Sequence, residues 1–420
     1  MGPGLSSKAS LDSSSSPGKA AIAHRWLLCW LLFAATALSF LDRQVLSVLA
    51  PRITAEFSMS NEVYSRVVFG FQASYTVMFA LGGRFVDMVG TRLGMAACLA
   101  IWSIASGLHA LTRGPVSLTA ARFLLGLGEG GCFPAAARGP AQWFPADKRA
   151  LAMGIATGGS ALGAVIAPPL TAYAAAHLGW RGTFLLTGLL GLVWLAVWLG
   201  VTRKDAPEAK NSGPRTSLLS WLSQPRVRWV MLARFLFDPV FYFYMFWIPQ
   251  YLHRERNMSV EQIGSSFWIP FLVLGFSQVA GGRASDALVR RGWEPVRARR
   301  FVLGAAALLT PASWMAALTS DARSAIALMC VLMFAHGFWI TNFLGLLGDM
   351  FPSSAIGTIS GLTGTAGGIG GMLSSLLIGA AVDRFSFTPV FAVTGVLYPA
   401  AFCVLLIATS RRRSLDAVVA

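Results

Sequence analysis

The sequence predicts an all-α polytopic membrane protein with twelve transmembrane helices, arranged as two pseudo-symmetric six-helix bundles. Composition supports a membrane protein, because 55% of the 420 residues are hydrophobic and only 12% are charged, with a mean hydropathy of +0.61. A helix needs about 20 apolar residues to cross a bilayer, and twelve apolar runs of roughly that length follow one another along the chain. Short repeated motifs then relate the first six runs to the last six.

Short polar segments separate the twelve runs, so the approximate bounds of each predicted span can be read in order. The bounds are 26–50, 62–83, 93–112, 115–138, 149–173, 182–202, 229–252, 262–282, 301–319, 323–348, 354–381 and 388–410.

The spans and the polar segments divide the chain into five predicted parts. The first 23 residues are rich in Ser and Gly and carry little apolar surface, as is typical of disordered tails. The stretch 203–228 is polar and contains three prolines, as expected for a linker. The predicted parts are a cytoplasmic tail (1–23), an N-terminal bundle (24–202), a cytoplasmic linker (203–228), a C-terminal bundle (229–410) and a second cytoplasmic tail (411–420).

Two sets of matching residues support the division into two halves. Gly82-Gly83-Arg84-x-x-Asp87 after span two recurs 199 residues later as Gly281-Gly282-Arg283-x-x-Asp286 after span eight. Phe144-Pro145, with Gly154 and Gly163, recurs 207 residues later as Phe351-Pro352, with Gly361 and Gly370. Membrane proteins built from two such repeats place a binding cavity at the bilayer midplane, between the halves.

Basic residues exceed acidic ones by 34 to 18, for a net charge of +16. Such an excess usually suggests a nucleic-acid partner. Here 23 of the 34 fall on one side of the predicted membrane and seven on the other, if the amino terminus is inside. The positive-inside rule then predicts that both termini are cytoplasmic. The bilayer, with its anionic headgroups, is therefore the expected partner of this charge, and no nucleic-acid partner is expected.

Two motifs resemble the major facilitator superfamily. GRFVDMVGTR (Gly83 to Arg92) resembles its G-x-x-x-D-x-x-G-x-R loop between helices two and three, and RFLLGLG (Arg122 to Gly128) resembles its R-x-x-x-G-x-G motif in helix four. Further segments resemble the anion:cation symporter family within it, and its hexuronate transporters most of all. These segments are LDRQVLS (41–47), GLGEG (126–130), WFP (143–145), GAVIAPPL (163–170), DPVFYFYMFWIP (238–249) and DMFP (349–352).

Four ionisable residues in the predicted spans are the main candidates for function: Asp42, Arg43, Arg122 and Glu129. A charge at the bilayer centre costs at least about 2.5–3.5 kcal/mol. The alternative is structural, with two ion pairs that hold helices one and four together. Arg122 and Glu129 are seven residues apart and share a helix face, whereas Asp42 and Arg43 diverge by about 100° around helix one.

Chemistry suggests a role for each of these groups. The Arg43 guanidinium is a planar fork of donors that fits a carboxylate in two places at once. Burial favours a protonated carboxylic acid and neighbouring arginines oppose it, so Glu129 and Asp42 are the expected proton-coupling residues. The family resemblance implies the same roles for Asp42, Arg43 and Glu129.

Further residues, in addition to those in the predicted ion pairs, complete the predicted substrate site. Tyr75, Arg122, Tyr242, Trp247 and Asn342 are expected to bind substrate together with Arg43, although aromatic residues near helix ends also serve as interface anchors. For Asp238, an ion pair with Arg234 one turn earlier is the preferred interpretation. A gating role at the cytoplasmic loop is expected for Arg84, Asp87 and Arg92.

The sequence and the resemblance together predict a secondary active transporter that imports a sugar-acid anion, such as glucuronate or galacturonate, by proton symport. Alternatives are an exporter or antiporter of another small organic compound, and a symporter of an aldonate, an aldarate or another carboxylate. We expect no enzymatic activity, no cofactor besides the coupling proton and no bound metal, because neither catalytic nor metal-ligand spacing is present. The resemblance also implies a monomer in the bacterial inner membrane.

Overall fold

A computed structural model describes residues 19–144, 146–202, 218–352 and 355–410, except for the side chains of 19–21, 87, 141, 146, 147, 150, 218 and 219. Every regular element in these ranges is helical. The N-terminal half contains α1 (Lys19–Glu56), α2 (Asn61–Leu108), α3 (Pro115–Glu129), α4 (Cys132–Trp143) and α5 (Ala146–Val201). The C-terminal half contains α6 (Leu218–Leu222), α7 (Pro225–Phe246), α8 (Ile248–Arg256), α9 (Val260–Ser266), α10 (Trp268–Arg290), α11 (Pro295–Leu309), α12 (Ala312–Leu318), α13 (Ala322–Met350), α14 (Ile356–Arg384) and α15 (Thr388–Ser410).

Helix boundaries differ from the predicted ones at both ends of the N-terminal half. Helix α1 begins at Lys19, inside the segment predicted to be a tail, and the linker predicted over 203–228 contains α6 and the start of α7. Residues 1–18, 203–217 and 411–420, where the tails and the rest of the linker were predicted, lie outside the described residues.

Nine helices in the described part of the chain are long and apolar enough to cross a membrane. Predicted spans five and six lie in α5 on either side of Gly179, and spans two and four are not among the nine.

Left-handed glycines mark the points where the long helices α2 and α5 turn back on themselves. Gly90, with φ 85°, interrupts α2, and Gly179, with φ 69°, interrupts α5. An added Cβ at Gly94 would lie 3.1 Å from the Val86 side chain, so the chain reverses around Gly90. Only glycine adopts this backbone conformation without strain, which explains the last glycine of the loop motif. The C-terminal half has its own such glycine between α10 and α11, Gly292, with φ 88°.

The helices pack as two groups around a shared interface. In the N-terminal group α1 packs along α5 and α3 along α2, and in the C-terminal group α13 packs on α10 and α7 on α14. Between the groups, the first half of α2 lies along α14, and α5 contacts α9 and α10. We call these groups the N bundle and the C bundle, and we define the upper end as the end that carries the α1–α2 turn, residues 57–60.

Polar contacts join the two bundles at the upper end. The Asp383 carboxylate at the end of α14 accepts hydrogen bonds from the backbone N–H of Glu62 at 2.7 Å and from the backbone and side chain of Asn61 at 3.1 and 2.7 Å. Gln250 also donates to Asn61, and Arg52 pairs with Glu261. The start of α2 is therefore tied to the C bundle.

The packing of α2 on α14 loosens away from the upper end. An added Cβ at Gly379, Gly368 or Gly364 would collide with the α2 side, at 2.4 to 2.6 Å from its nearest atom. Further along α14, Gly361 and Gly357 have no such neighbour within 4 Å among the described residues. The two helices touch from the upper end past their middle and then separate, so the interface is closed at one end and open at the other.

Candidate functional site

A buried ion pair between α1 and α3 lies at the centre of the N bundle. Arg43 donates to the same Glu129 oxygen, Oε2, from Nε at 3.1 Å and from Nη2 at 2.9 Å. The two side chains are 3% and 0% exposed. The other carboxylate oxygen, Oε1, is buried and has no hydrogen-bond partner among the described residues. The structural alternative, an ion pair between the first and fourth predicted helices, is thus confirmed for Arg43 and Glu129. Such a buried pair can also take part in substrate binding or proton coupling.

Glycines around Glu129 explain how α3 comes close enough for this pair. A Cβ at Gly126 would lie 2.3 Å from the Phe71 carbonyl oxygen in the first half of α2, and one at Gly128 would lie 2.6 Å from the Trp102 nitrogen in its second half. A Cβ at Gly130 would also collide with α2. Helix α3 therefore packs closely against α2 on both sides of the break at Gly90. The glycines of the helix-four motif allow this close packing.

Asp42 faces a different surface from its neighbour Arg43. Its Oδ1 accepts a hydrogen bond from Ser106 at 3.1 Å, and Ser106 lies 2.9 Å from the Thr187 hydroxyl. The residue is 1% exposed, and Oδ2 has no partner in the ranges that the structure describes. The divergence of Asp42 and Arg43 around α1 is confirmed, and Asp42 does not contact the Arg43–Glu129 pair by a hydrogen bond.

Arg122 lies between aromatic rings instead of in an ion pair. Its guanidinium carbon is 5.8 Å from the Phe71 ring centre and 5.9 Å from that of Phe184. None of its three side-chain nitrogens has a hydrogen-bond partner among the residues described, and the residue is 1% exposed. The predicted role of Arg122 in substrate binding stays a prediction.

Aromatic side chains form the wall around Arg43. The guanidinium carbon lies 4.4 Å from the Tyr75 ring centre and 4.7 Å from that of Phe40. Phe71 lies 5.4 Å from the Arg43 guanidinium carbon, and Phe246 of the C bundle lies edge-on to Phe71, with 5.9 Å between ring centres. The half-buried Tyr242 ring stacks on Phe246 at 6.1 Å. Aromatic side chains of both bundles therefore form one cluster next to Arg43.

Two predicted substrate-binding residues, Asn342 and Trp247, make contacts with groups outside the Arg43 wall. Asn342 is fully buried and donates to the backbone oxygens of Gly281 and Phe338, at 3.0 and 2.8 Å. Since Gly281 is on α10, the first of these bonds links α13 to α10. Trp247 is fully buried at the α7–α8 break, edge-on to Tyr64 with 5.2 Å between ring centres. Tyr64 lies near the start of α2, so Trp247 belongs to the closed upper end and not to the Arg43 wall.

The C bundle carries its own buried polar groups. Arg234 Nε lies 3.0 Å from Asp238 Oδ2 within α7, which confirms the predicted ion pair one turn apart. Asp238 packs tightly on Gly367 of α14. His336 bonds to Tyr398 and stacks on Phe241 at 4.8 Å.

The three predicted gating residues lie far along α2 from its upper end. Arg84 is exposed, and Arg92 donates to the Thr202 hydroxyl at 3.2 Å. The Asp87 side chain lies outside the described residues. Their gating role stays a prediction.

Several hydroxyl groups at the site were not predicted. The Ser39 hydroxyl donates to Glu129 Oε2 at 3.1 Å, and Ser106 and Thr187 surround Asp42 as described above. Ser375 of α14 donates to Gln72 of α2 at 2.7 Å, across the bundle interface. Serine and threonine are common in membrane helices, where they usually bond their own backbone, so the sequence carries no signal that selects these four.

Comparison with known proteins identifies the class of this fold and site. The family model of the Major Facilitator Superfamily matches residues 32–375, so the chain belongs to that family of multi-span membrane transporters. A solved structure titled a bacterial homologue of the human lysosomal transporter Spinster, in an inward-facing and occupied conformation, shares the fold. It has a TM-score of 0.72 and 18% identity, over 94% of this chain and 96% of that one.

Several curated relatives of the chain are transporters of sugar acids. The hexuronate transporter of Escherichia coli (strain K12) is 28% identical over 392 residues, which cover 89% of this chain and 91% of that protein. The D-galactonate transporter of Escherichia coli O6:H1 is 26% identical over 403 residues, which cover 90% of this chain and 93% of that protein. The chain is thus a membrane transporter similar to carriers of sugar acids.

Proposed function

We propose that this protein imports a sugar-acid anion, such as a hexuronate, by proton-coupled symport. The observation that carries the proposal is the Arg43–Glu129 ion pair, buried and 2.9 Å apart, beside Tyr75. A carboxylate substrate is the natural competitor of Glu129 for the Arg43 guanidinium, since both are carboxylates that accept hydrogen bonds from the same donors. Stacking on tyrosine rings and their hydroxyl groups suits a polyhydroxylated sugar body.

Competition for Arg43 couples the substrate to a proton. When the substrate carboxylate takes Arg43, Glu129 loses the one cation that is hydrogen-bonded to it among the described residues. An unpaired carboxylate is costly to keep in a buried site, so Glu129 takes up a proton. When the substrate leaves, Arg43 returns to Glu129 and the proton is released. The buried pair thus works as an exchanger between substrate and proton.

Access to the site from one side at a time follows from the packing of the bundles. With the amino terminus in the cytoplasm, the upper end is the extracytoplasmic side. The closed upper end and the separation of α2 from α14 beyond Gly364 then correspond to a state that is open toward the cytoplasm. Release of the Asp383 and Glu261 contacts would be needed to expose the site to the other side.

Membrane potential favours more than one proton for each substrate. Moving one anion into a negative-inside cell opposes about 2.3 kcal/mol per 100 mV, and one proton only cancels that charge. A second proton makes the cycle electrogenic and lets the potential drive uptake. Asp42, buried within the same bundle, is the proposed second carrier.

An aldonate substrate is the second candidate, because the galactonate carrier is also similar to the chain. Export of an organic cation fits less well, because Arg43 and Arg122 would repel it and Arg122 has no ion-pair partner in the described part of the structure.

Uptake of labelled sugar acids into proteoliposomes tests the proposal. We expect an inward proton gradient to drive accumulation of glucuronate or galacturonate above equilibrium, and an uncoupler to abolish it. A panel with galactonate, glucarate and a neutral hexose identifies the substrate class, and the neutral sugar should not compete. Accumulation that is indifferent to the proton gradient would refute symport, and uptake indifferent to an inside-negative potential would refute the second proton.

A further inference from the structure

Three donors converge on one oxygen of Glu129. Arg43 supplies Nε and Nη2, at 3.1 and 2.9 Å, and Ser39 Oγ donates to the same atom, Oε2, at 3.1 Å. Oε1 is equally buried but has no hydrogen-bond partner within the described ranges. The two oxygens of one carboxylate are therefore chemically distinct.

Ser39 departs from the usual behaviour of a helical serine. A serine within a membrane helix normally donates to the backbone carbonyl three or four residues earlier. Ser47, eight residues later on α1, does this and bonds the Gln44 oxygen at 3.0 Å. Ser39 lies one turn before Arg43, so both project from the same face of α1. Its hydroxyl reaches across to Glu129 instead of its own backbone.

We propose that Ser39 is a positioning residue for proton coupling, which holds Glu129 Oε2 and leaves Oε1 as the oxygen that gains and loses the proton. This rests on the proposed function. When the substrate carboxylate takes Arg43 away, Ser39 still donates to Oε2. The incoming proton then adds to Oε1, so that Oε2 becomes the carbonyl oxygen of the acid and Ser39 remains its donor. On release, the proton leaves Oε1 and the arginine donors return to Oε2.

Other ionisable groups near Glu129 also influence its protonation. They lie on α1, α2, α3 and α4 and act whether or not the serine is present. These groups are Asp42 and Arg43 on α1, Tyr75 on α2, Arg122 on α3 and Cys132 on α4. Among them Arg43 alone is hydrogen-bonded to Glu129 in the part of the chain described.

The pH profile of proton-driven uptake tests the role of Ser39. A hydroxyl donor stabilises a carboxylate more than the neutral acid, so Ser39→Ala should make Glu129 easier to protonate. We expect the midpoint of the profile to move by about one unit toward higher pH. Ser39→Thr keeps the hydroxyl and should restore the wild-type midpoint. Ser47→Ala, the matched control for a buried serine on the same helix, should leave the midpoint unchanged.

A spectroscopic measurement gives an independent readout. The protonated Glu129 carboxyl should give an infrared C=O stretching band that is absent in Glu129→Gln. Loss of a hydrogen bond to that carbonyl should raise its frequency in Ser39→Ala and not in Ser47→Ala. An unshifted midpoint or band in Ser39→Ala, with wild-type uptake still proton-driven, would overturn the role of Ser39 alone. A wild-type protein whose uptake ignores the proton gradient would overturn the proposed function as well.

Discussion

The interiors of the two bundles differ in how their charges are held. In the N bundle the ion pair joins two helices, Arg43 on α1 and Glu129 on α3, and both partners are almost fully buried. In the C bundle the pair lies within one helix, Arg234 and Asp238 on α7, with side chains 17% and 12% exposed. A pair between helices can be broken by a substrate or by helix movement, whereas a pair one turn apart moves as a unit. We therefore propose that the proton and anion chemistry takes place in the N bundle.

The aromatic side chains around the ion pairs also distinguish the two bundles. Around the Arg234–Asp238 pair, the C bundle is filled by rings such as Phe237, which contacts Trp339, Phe343 and Tyr398. Tyr242 of this bundle stacks on Phe246, which lies edge-on to Phe71 of the N bundle. We therefore expect the C bundle to contribute to recognition of the sugar body and not to coupling.

Removal of Arg43 should have the largest effect on the N bundle. Arg43→Ala deletes the proposed anion-binding group and leaves Glu129 without its cation, so we expect substrate affinity to fall at least about 100-fold. Binding can be measured by thermal shift or by the concentration dependence of counterflow. Arg66→Ala is the control, because Arg66 is exposed and pairs with Glu62 on its own helix. Affinity within twofold of wild type in Arg43→Ala would refute the anion site.

Asp42→Asn should separate coupling from binding within the N bundle. Asp42 bonds Ser106 and not the Arg43 wall, so substrate affinity should change by less than about threefold. Loss of the second proton should remove the acceleration of uptake by an inside-negative potential. Uptake into vesicles with a clamped potassium diffusion potential measures this. If Asp42→Asn still responds to the potential as wild type does, Asp42 is not a proton carrier.

Two neighbouring tyrosines of α7 test the recognition role of the C bundle. Tyr242 is half-buried at the site, whereas the Tyr244 hydroxyl is buried and lies 3.0 Å from Ser313. We expect Tyr242→Phe to weaken substrate affinity about fivefold, the value of one hydrogen bond. Tyr244→Phe should leave affinity unchanged and lower only thermal stability. Equal affinity losses in the two variants would contradict the assignment.

Asp238→Asn should have the smallest effect on coupling. The variant breaks the pair with Arg234 and should lower the melting temperature, because a partly buried arginine loses its partner. The pH midpoint of uptake should stay at the wild-type value, since the proposed proton carriers are in the N bundle. A shifted midpoint would place a proton-coupling group in the C bundle and remove the contrast between the bundles.

The fold and the charged centre of the site were predictable from the sequence because both leave strong signals. Apolar runs long enough to cross a bilayer define the helices, and the cost of a buried charge singles out residues such as Arg43 and Glu129. The loop motif likewise marks the reversal at Gly90.

Partners of these charges were harder to predict. Ser39 and Ser106 are small polar residues in apolar helices, and neither period nor charge distinguishes them from Ser47, which bonds its own backbone. Asn342 was assigned to the site because a polar side chain in a span suggests function, but its amide fastens two helices. The hydrogen-bond partner of such a residue depends on how the helices rotate and pack. The neighbouring residues in the sequence do not determine this.

The central claim is that the Glu129 carboxyl carries the proton that the Arg43 exchange releases and binds. Glu129→Gln, compared with wild type in proteoliposomes, tests it most directly by measuring proton-driven accumulation and counterflow of labelled substrate side by side. We predict that Glu129→Gln loses accumulation and keeps counterflow, because the protein still binds and moves substrate but no longer exchanges the proton. Accumulation that survives in Glu129→Gln would contradict the claim, and loss of both activities would show that Glu129 is needed for binding or folding instead.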